Sequence, residues 1–257
     1  SAICLACTHT HSGPQTAGLT GWGHADDLYL ETLPQRVWAA VETALAERLP
    51  VTVGMAEVDV PGMAINRDHD CAYDRSVPVE DLLDPAWRPP RPELTDTRLR
   101  LLAFRHKGRL QGLLHTFACH PVVCCEASTR IHGDFPGLAG ARLEAAHPGS
   151  VALFLPGALG DVNPPVTHRP EGESLHALGV LSGRYTDHLE AGLAKTRPLP
   201  EVFLRTVSRT VAFTRVDWSL EGIEERIREQ ETHLHRDGLT DDPLAGGPHP
   251  LDRAGIR

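Results

Sequence analysis

The stretch Val151-Ala152-Leu153-Phe154-Leu155-Pro156-Gly157-Ala158-Leu159-Gly160-Asp161-Val162-Asn163-Pro164 decides how this chain is read. Its first five residues are apolar, a length that suits a short buried strand. Pro156 and Gly157 end the strand and hand over to a polar turn. Two other segments share that design. An apolar run, Ala2 to Thr8, reads as a short buried strand and leads into His9-Thr10-His11-Ser12-Gly13-Pro14. A strand from Leu110 to Cys119 delivers His120-Pro121. In α/β proteins ligands collect at the ends of strands, so these three turns are expected to converge on one pocket.

Outward from these turns, helices alternate with strands. Leu33, Val37, Ala40, Val41, Ala44 and Leu45 recur at helical spacing, and Pro50 closes a helix over Leu30 to Arg48. Val51 to Val60 alternates as a strand. Leu99 to Arg105 pairs with Leu110 to Cys119 in a hairpin around Lys107-Gly108. Gly133 to Ala146 is a loop feeding a helix, with Asp134 placed to cap it. Glu173 to Ala194 reads as a helix, Phe203 to Phe213 as a strand, and Leu220 to His235 as a charged helix. The Pro-rich residues 74–97 read as a surface loop. The fold class is α/β, a mixed β-sheet flanked by helices. Residues 1–236 form the domain, and 237–257 read as a flexible Gly/Pro/Asp-rich end segment. Both ends look cut, so a fragment of a larger catalytic domain is expected.

Composition limits the function. The chain has 257 residues, 41% hydrophobic and 23% charged, which is globular and neither disordered nor collagen-like. No apolar run approaches the ~20 residues of a membrane-spanning helix. The net charge is −9, and the arginines (Arg88, Arg91, Arg98, Arg100, Arg105) are scattered, so no nucleic-acid partner is expected. Cys4 and Cys119 lie in apolar runs and read as buried small hydrophobes. The six cysteines suggest no disulfide framework, which favours a reducing compartment.

His9 and His11 are two apart, so in an extended chain both imidazoles face one side. Such a pair can share a metal, or divide metal and substrate between them. His120 can add a ligand. The same residues also suit a polar loop and a core histidine bonded to backbone. Asp161 and Asn163 both favour tight turns. Arg67 can grip an oxyanion, though a loop arginine is also often just solvated. Asp68, Asp70 and Asp74 form an acidic, solvated loop. Cys124-Cys125 lies near His120 without a partner arrangement for a thiol nucleophile. His132-Gly133-Asp134 can brace the site or cap the helix, and Asp134 and Asp161 are the acidic groups available to a different metal enzyme.

Four ordered motifs over residues 1–165 resemble the neutral/alkaline, non-lysosomal ceramidases: Thr8 to Pro14, Ile65-Asn66-Arg67 with Tyr73 following, Phe117 to Pro121 with Gly133-Asp134 following, and Leu155 to Pro164. The resemblance implies a zinc-dependent hydrolase that cleaves an amide, of the N-acylsphingosine type, or an ester. It implies that His9 and His120 are zinc ligands, that His11 lies close to substrate, and that Arg67 holds the substrate or the developing oxyanion. It places the remaining ligands, a Glu and a Tyr, downstream of the Asp161 turn, where none is assigned. It also suggests a secreted or periplasmic protein with a small-molecule or lipid substrate. The chain departs from the family at Asn163, which stands where the family carries its nucleophilic Ser. Asn163 cannot form an acyl intermediate but can orient a carbonyl or a water, which points to zinc-bound water as the attacking group. The alternative is a non-catalytic relative that binds a lipid or other small ligand.

Overall fold

A computed structural model of the chain describes residues 3–17, 25–69, 76–125, 128–202, 205, 207–214 and 217–235. The expected end segment 237–257, together with Asp70, Tyr73 and Asp74, lies outside them. Internal contacts divide the chain into two units, Ser1–Gly13 with Val41–Leu204 and Pro14–Ala40 with Arg205–Arg257.

The first unit is built on a five-stranded sheet. Strand β1 (Thr52–Asp59) pairs antiparallel with β3 (Arg98–His106), which pairs antiparallel with β4 (Arg109–Phe117) around the Lys107-Gly108 turn. Strand β5 (Val151–Pro156) runs parallel to β4, and β7 (Arg197–Pro198) adds two residues on the free edge of β1. The order is β5-β4-β3-β1-β7, a mixed sheet as expected. A second, two-residue ladder joins β2 (Ile65–Asn66) to β6 (Val162–Asn163).

Period-2 alternation sets the buried face. The register aligns Ala56, Leu101, His115 and Phe154 in one row across four strands, and all four are buried. Helices α3 (Asp134–Ala146) and α4 (Glu171–Ala194) pack against each other, α3 on β5 and α4 on β1 and β3. On α4, Ala177, Leu178, Leu181, Tyr185 and Leu189 keep helical spacing and are buried. Tyr185 is the centre of the core, its ring 5.2 Å from Phe135, 5.6 Å from His115 and 5.8 Å from Phe117. Between β1 and β3, the expected surface loop carries a short helix α2 (Val79–Leu82) and a 3-10 turn at Pro92–Leu94.

In the second unit, α1 (Asp27–Ala46, its last turns belonging to the first unit) is capped by Asp26, whose carboxylate accepts from the Tyr29 N–H at 2.9 Å. Helix α5 (Leu220–His235) is capped by the Ser219 hydroxyl, which accepts from the Gly222 N–H at 3.0 Å. Arg226 lies over the Trp218 ring, 4.8 Å from its centroid. Among the described residues no helix is long and apolar enough to cross a membrane.

Three expectations need correction. Residues 3–8 form no strand, and Ile3 and Leu5 are 63% and 72% exposed. Cys4 is exposed rather than buried, whereas Cys119 is buried as expected. The described residues 205 and 207–213 form no strand either, and Val207, Val211 and Phe213 are exposed. Both segments have strand-like composition, but composition does not make a strand without a paired neighbour.

His115 gives the core a pH limit. Burial pushes its imidazole down to about 4, and its Nδ1 shares a 3.1 Å hydrogen bond with the Tyr185 hydroxyl. The folded chain therefore favours neutral His115, while the unfolded chain binds a proton near 6.5. This contribution to stability is complete above pH 6.5 and is lost as pH falls towards about 4. Urea unfolding at pH 7.5 and 4.5 should show that loss in the wild type, and His115→Gln should reduce the difference between the two pH values.

Candidate active site

The parallel pair β4–β5 ends with Phe117 opposite Pro156, so the turns that follow leave from the same edge of the sheet. A Cβ on Gly157 would meet the Ala118 backbone at 3.0 Å, and the Gly157 N–H donates to the Phe117 carbonyl at 3.0 Å. Glycine thus lets the two chains stay side by side past the strand ends. One leads to His120, the other to Asp161 and Asn163.

His120 is held by backbone groups of the 159–162 turn. The Val162 oxygen accepts from the His120 main-chain N–H at 2.9 Å and contacts its Nδ1 at 3.1 Å. A carbonyl can only accept, so Nδ1 carries the proton and the Nε2 lone pair is left for another partner. Burial pushes the His120 pKa down, against the raising effect of these backbone bonds.

The His9 segment arrives from far away in sequence and is tied down by its hydroxyl residues. Thr10 Oγ1 donates to the His132 carbonyl at 2.9 Å, Ser12 Oγ donates to the Cys124 carbonyl at 3.1 Å, and the His132 N–H donates to the Ser12 carbonyl at 2.9 Å. His9 is not extended as expected but left-handed, with φ 63°. Its ring still meets the others. The His9 and His11 centroids are 5.1 Å apart, His9 and His120 are 4.8 Å apart, and His11 and His120 are 6.1 Å apart. The Nε2 atoms of His9 and His11 are 3.5 Å apart.

His11 keeps solvent access over part of its surface, yet packed protein surrounds its ring. That partial burial, with the charges of His9, His120, His168 and Arg67, pushes it down to about 4. His11 is therefore neutral at pH 7.

Arg67 enters from β2. Its N–H donates to the Asp161 carbonyl at 2.8 Å, and Asn66 Nδ2 donates to the Asp161 carboxylate at 2.8 Å. The Arg67 charge acts on both His11 and His120, while its buried Nε–H makes no hydrogen bond to the protein. Asn163 is 1% exposed and sits opposite Ile65 in the β2–β6 ladder, one residue beyond the Val162 carbonyl that holds His120.

Asp134 is not the helix cap that was expected. It has φ 52° and is fully buried. Its carboxylate accepts from the N–H groups of Val123 at 3.2 Å, Cys124 at 3.0 Å and Phe135 at 2.8 Å. Burial pushes it up to about 6, although those three bonds favour the charged form. The desolvation cost outweighs them. The carboxylate holds the loop after His120 in place. It is a brace and lies outside the imidazole cluster.

The structure thus brings His9, His11 and His120 into ring contact, sets the Arg67 charge beside them, and buries Asn163 next to the carbonyl that anchors His120. It also supplies braces that spacing did not reveal, the hydroxyls of Thr10 and Ser12, alongside His132, which sequence reading had offered as a brace.

His120 has its Nδ1 committed to a carbonyl, the His9 ring lies close by, and imidazole nitrogens are usual zinc donors. Among the described residues, however, no group of three His, Cys, Asp or Glu side chains is arranged to hold a metal ion, and a catalytic zinc usually has three protein ligands.

No protein-family model matches the sequence, and no curated protein matches it. Two solved structures share its fold. One is neutral ceramidase from Pseudomonas aeruginosa, with a TM-score of 0.59 and 20% identity, covering 74% of this chain and 31% of that one. The other is a ceramidase complexed with C2, with the same TM-score and identity, covering 74% of this chain and 30% of that one. The α/β architecture is therefore that of part of a ceramidase. The chain spans about a third of the length of the proteins it matches.

The brace can be tested directly. Asp134→Asn places an NH2 group among three N–H donors, and should cost about 1–3 kcal/mol. Chemical denaturation should show that loss, and disorder of the loop after His120 should appear in its amide exchange.

Proposed function

We infer that this chain is the core of a zinc-dependent hydrolase that cleaves an amide, of the N-acylsphingosine type, or an ester. The observation that carries the reading is the meeting of three imidazoles with an arginine whose Nε–H has no protein acceptor. An unsatisfied buried donor beside this histidine cluster suits a ligand oxygen.

His9 and His120 would hold zinc, the latter through Nε2 because the Val162 carbonyl keeps Nδ1 protonated. Zinc, when bound, supplies Lewis-acid polarisation of the scissile carbonyl and makes water more acidic. His11 is neutral at pH 7, so its lone pair can accept the proton of an attacking water. The Arg67 Nε–H points its positive charge at the oxygen on which negative charge develops. Asn163 orients the carbonyl or the attacking water. An amide side chain has no nucleophilic oxygen to acylate, so water attacks in a single displacement.

Elemental analysis of the full-length protein should give about one zinc per chain, with zinc lost in both His9→Ala and His120→Ala. A folded, zinc-free wild type would sink the mechanism and leave a ligand-binding relative in its place. Kinetics give a second check. Turnover should show no acyl-enzyme burst, and Asn163→Ala should lower kcat by about 10²-fold, the usual cost of misplacing a reacting group.

A further inference from the structure

The five cysteines among the described residues fall into two groups. Cys119, Cys124 and Cys125 are buried. Cys119 Sγ donates to the Met63 carbonyl at 3.8 Å, and Cys125 Sγ to the Val122 carbonyl at 3.2 Å. Burial pushes the Cys119 thiol up, and the Cys124 thiol up to about 11. The thiolate is the reactive form of cysteine, and little of it exists in such places. These three behave as small core residues.

Cys4 and Cys7 are exposed instead. They stand in the order Cys4-Leu5-Ala6-Cys7, and residues 3–8 carry no regular secondary structure. No hydrogen bond joins residues 3–8 to another described residue. The chain is first held beyond them, where Thr10 and Ser12 reach the carbonyls of His132 and Cys124. A disulfide needs Cα atoms about 4.4–6.8 Å apart. A fully extended run would separate Cys4 from Cys7 by about 10 Å, so the bridge takes one turn at Leu5-Ala6. A type I turn accepts both residues, and neither a strand pairing nor a hydrogen bond has to break. Two thiols on one short tether also meet each other far more often than either meets a second molecule.

We propose that Cys4 and Cys7 form a redox couple, closing reversibly to a disulfide by exchange with a small disulfide of the glutathione class. One cysteine sulfur, as thiolate, bonds to a sulfur of the small disulfide. The S–S bond of that molecule breaks, and one small thiol leaves and takes up the proton. The second cysteine sulfur then bonds to the first and displaces the other small thiol, which takes the second proton. Two cysteine thiols are oxidised, and one small disulfide is reduced to two thiols. Exposed bridges are the labile kind, so excess thiol reopens this one. Cys7 stands two residues before His9, and the bridge therefore stiffens the chain that leads into the imidazole cluster. The couple is independent of the hydrolytic reading.

The full-length protein should be incubated at neutral pH with oxidised glutathione, with and without EDTA so that a bound metal does not shield the thiols unnoticed. It is then unfolded in N-ethylmaleimide, digested and analysed by mass spectrometry. The peptide holding Cys4 and Cys7 should be unlabelled and lighter by two hydrogens, while Cys119, Cys124 and Cys125 carry the label. Excess reduced glutathione should restore labelling at both positions. Cys4→Ser and Cys7→Ser should each stop the bridge and leave a glutathione adduct on the remaining thiol, with thermal melting as the check on the fold. Thiols that stay reduced under both conditions overturn the proposal. So do lasting adducts on both residues of the wild type, or a bridge from either one to another cysteine or to a second chain.

Discussion

A single carbonyl oxygen, that of Val162, gathers the site. It accepts from both the main chain and the ring of His120, and it belongs to the short ladder that also carries Asn66 and Asn163. The orientation of His120 and its distance from Asn163 are thus tied to the short stretch of chain that ends in this ladder. Such an arrangement is rigid because a buried carbonyl without its donors would be costly. It also ties imidazole chemistry to sheet geometry. A shift of one residue in the β2–β6 register would point the carbonyl the other way and release His120.

Rigidity continues outward through unlike devices. Asp134 gathers backbone N–H groups with a carboxylate, and Thr10 and Ser12 reach across with hydroxyls. Thr167 closes the far side onto Val122. Each fixes main chain and leaves the imidazoles and the guanidinium facing one space. The strained residues His9, Asp134 and His168 are affordable because these bonds surround them. The fold supplies the framework, and the side chains set on it decide what chemistry it can carry.

The sequence carried the sheet well where pattern and pairing agreed. Strands β1, β3 and β4 alternate, and each found a neighbour. Helix α4 kept one apolar stripe and buried it. The runs at Ala2 to Thr8 and Phe203 to Phe213 had the same composition, but their described residues pair with no strand, and pairing is a property of the whole sheet. For the site, His9, His11 and His120 were legible because strand-end turns announce themselves through Gly and Pro. Arg67 was legible only through its motif. Asp134 carried two readings, brace and helix cap, and only the burial of the 123–124 loop, which turns its carboxylate inward, selects the brace.

The bonds that tie Thr10 to His132 and Ser12 to Cys124 span 122 and 112 positions of chain. The β3–β4 hairpin closes over two residues, whereas β4 meets β5 only after a long crossover through α3. Loops of such different size do not close together, because the entropy of closure rises with length and non-local pairing slows folding. The hairpin is therefore the early scaffold, and the histidine cluster is a late product of the folding path. Its parts come together only once the sheet edge, both turns and the amino-terminal segment are all in place. A nascent or partly unfolded chain would carry every one of these imidazoles and none of their arrangement, so the chemistry switches on with completion of the fold.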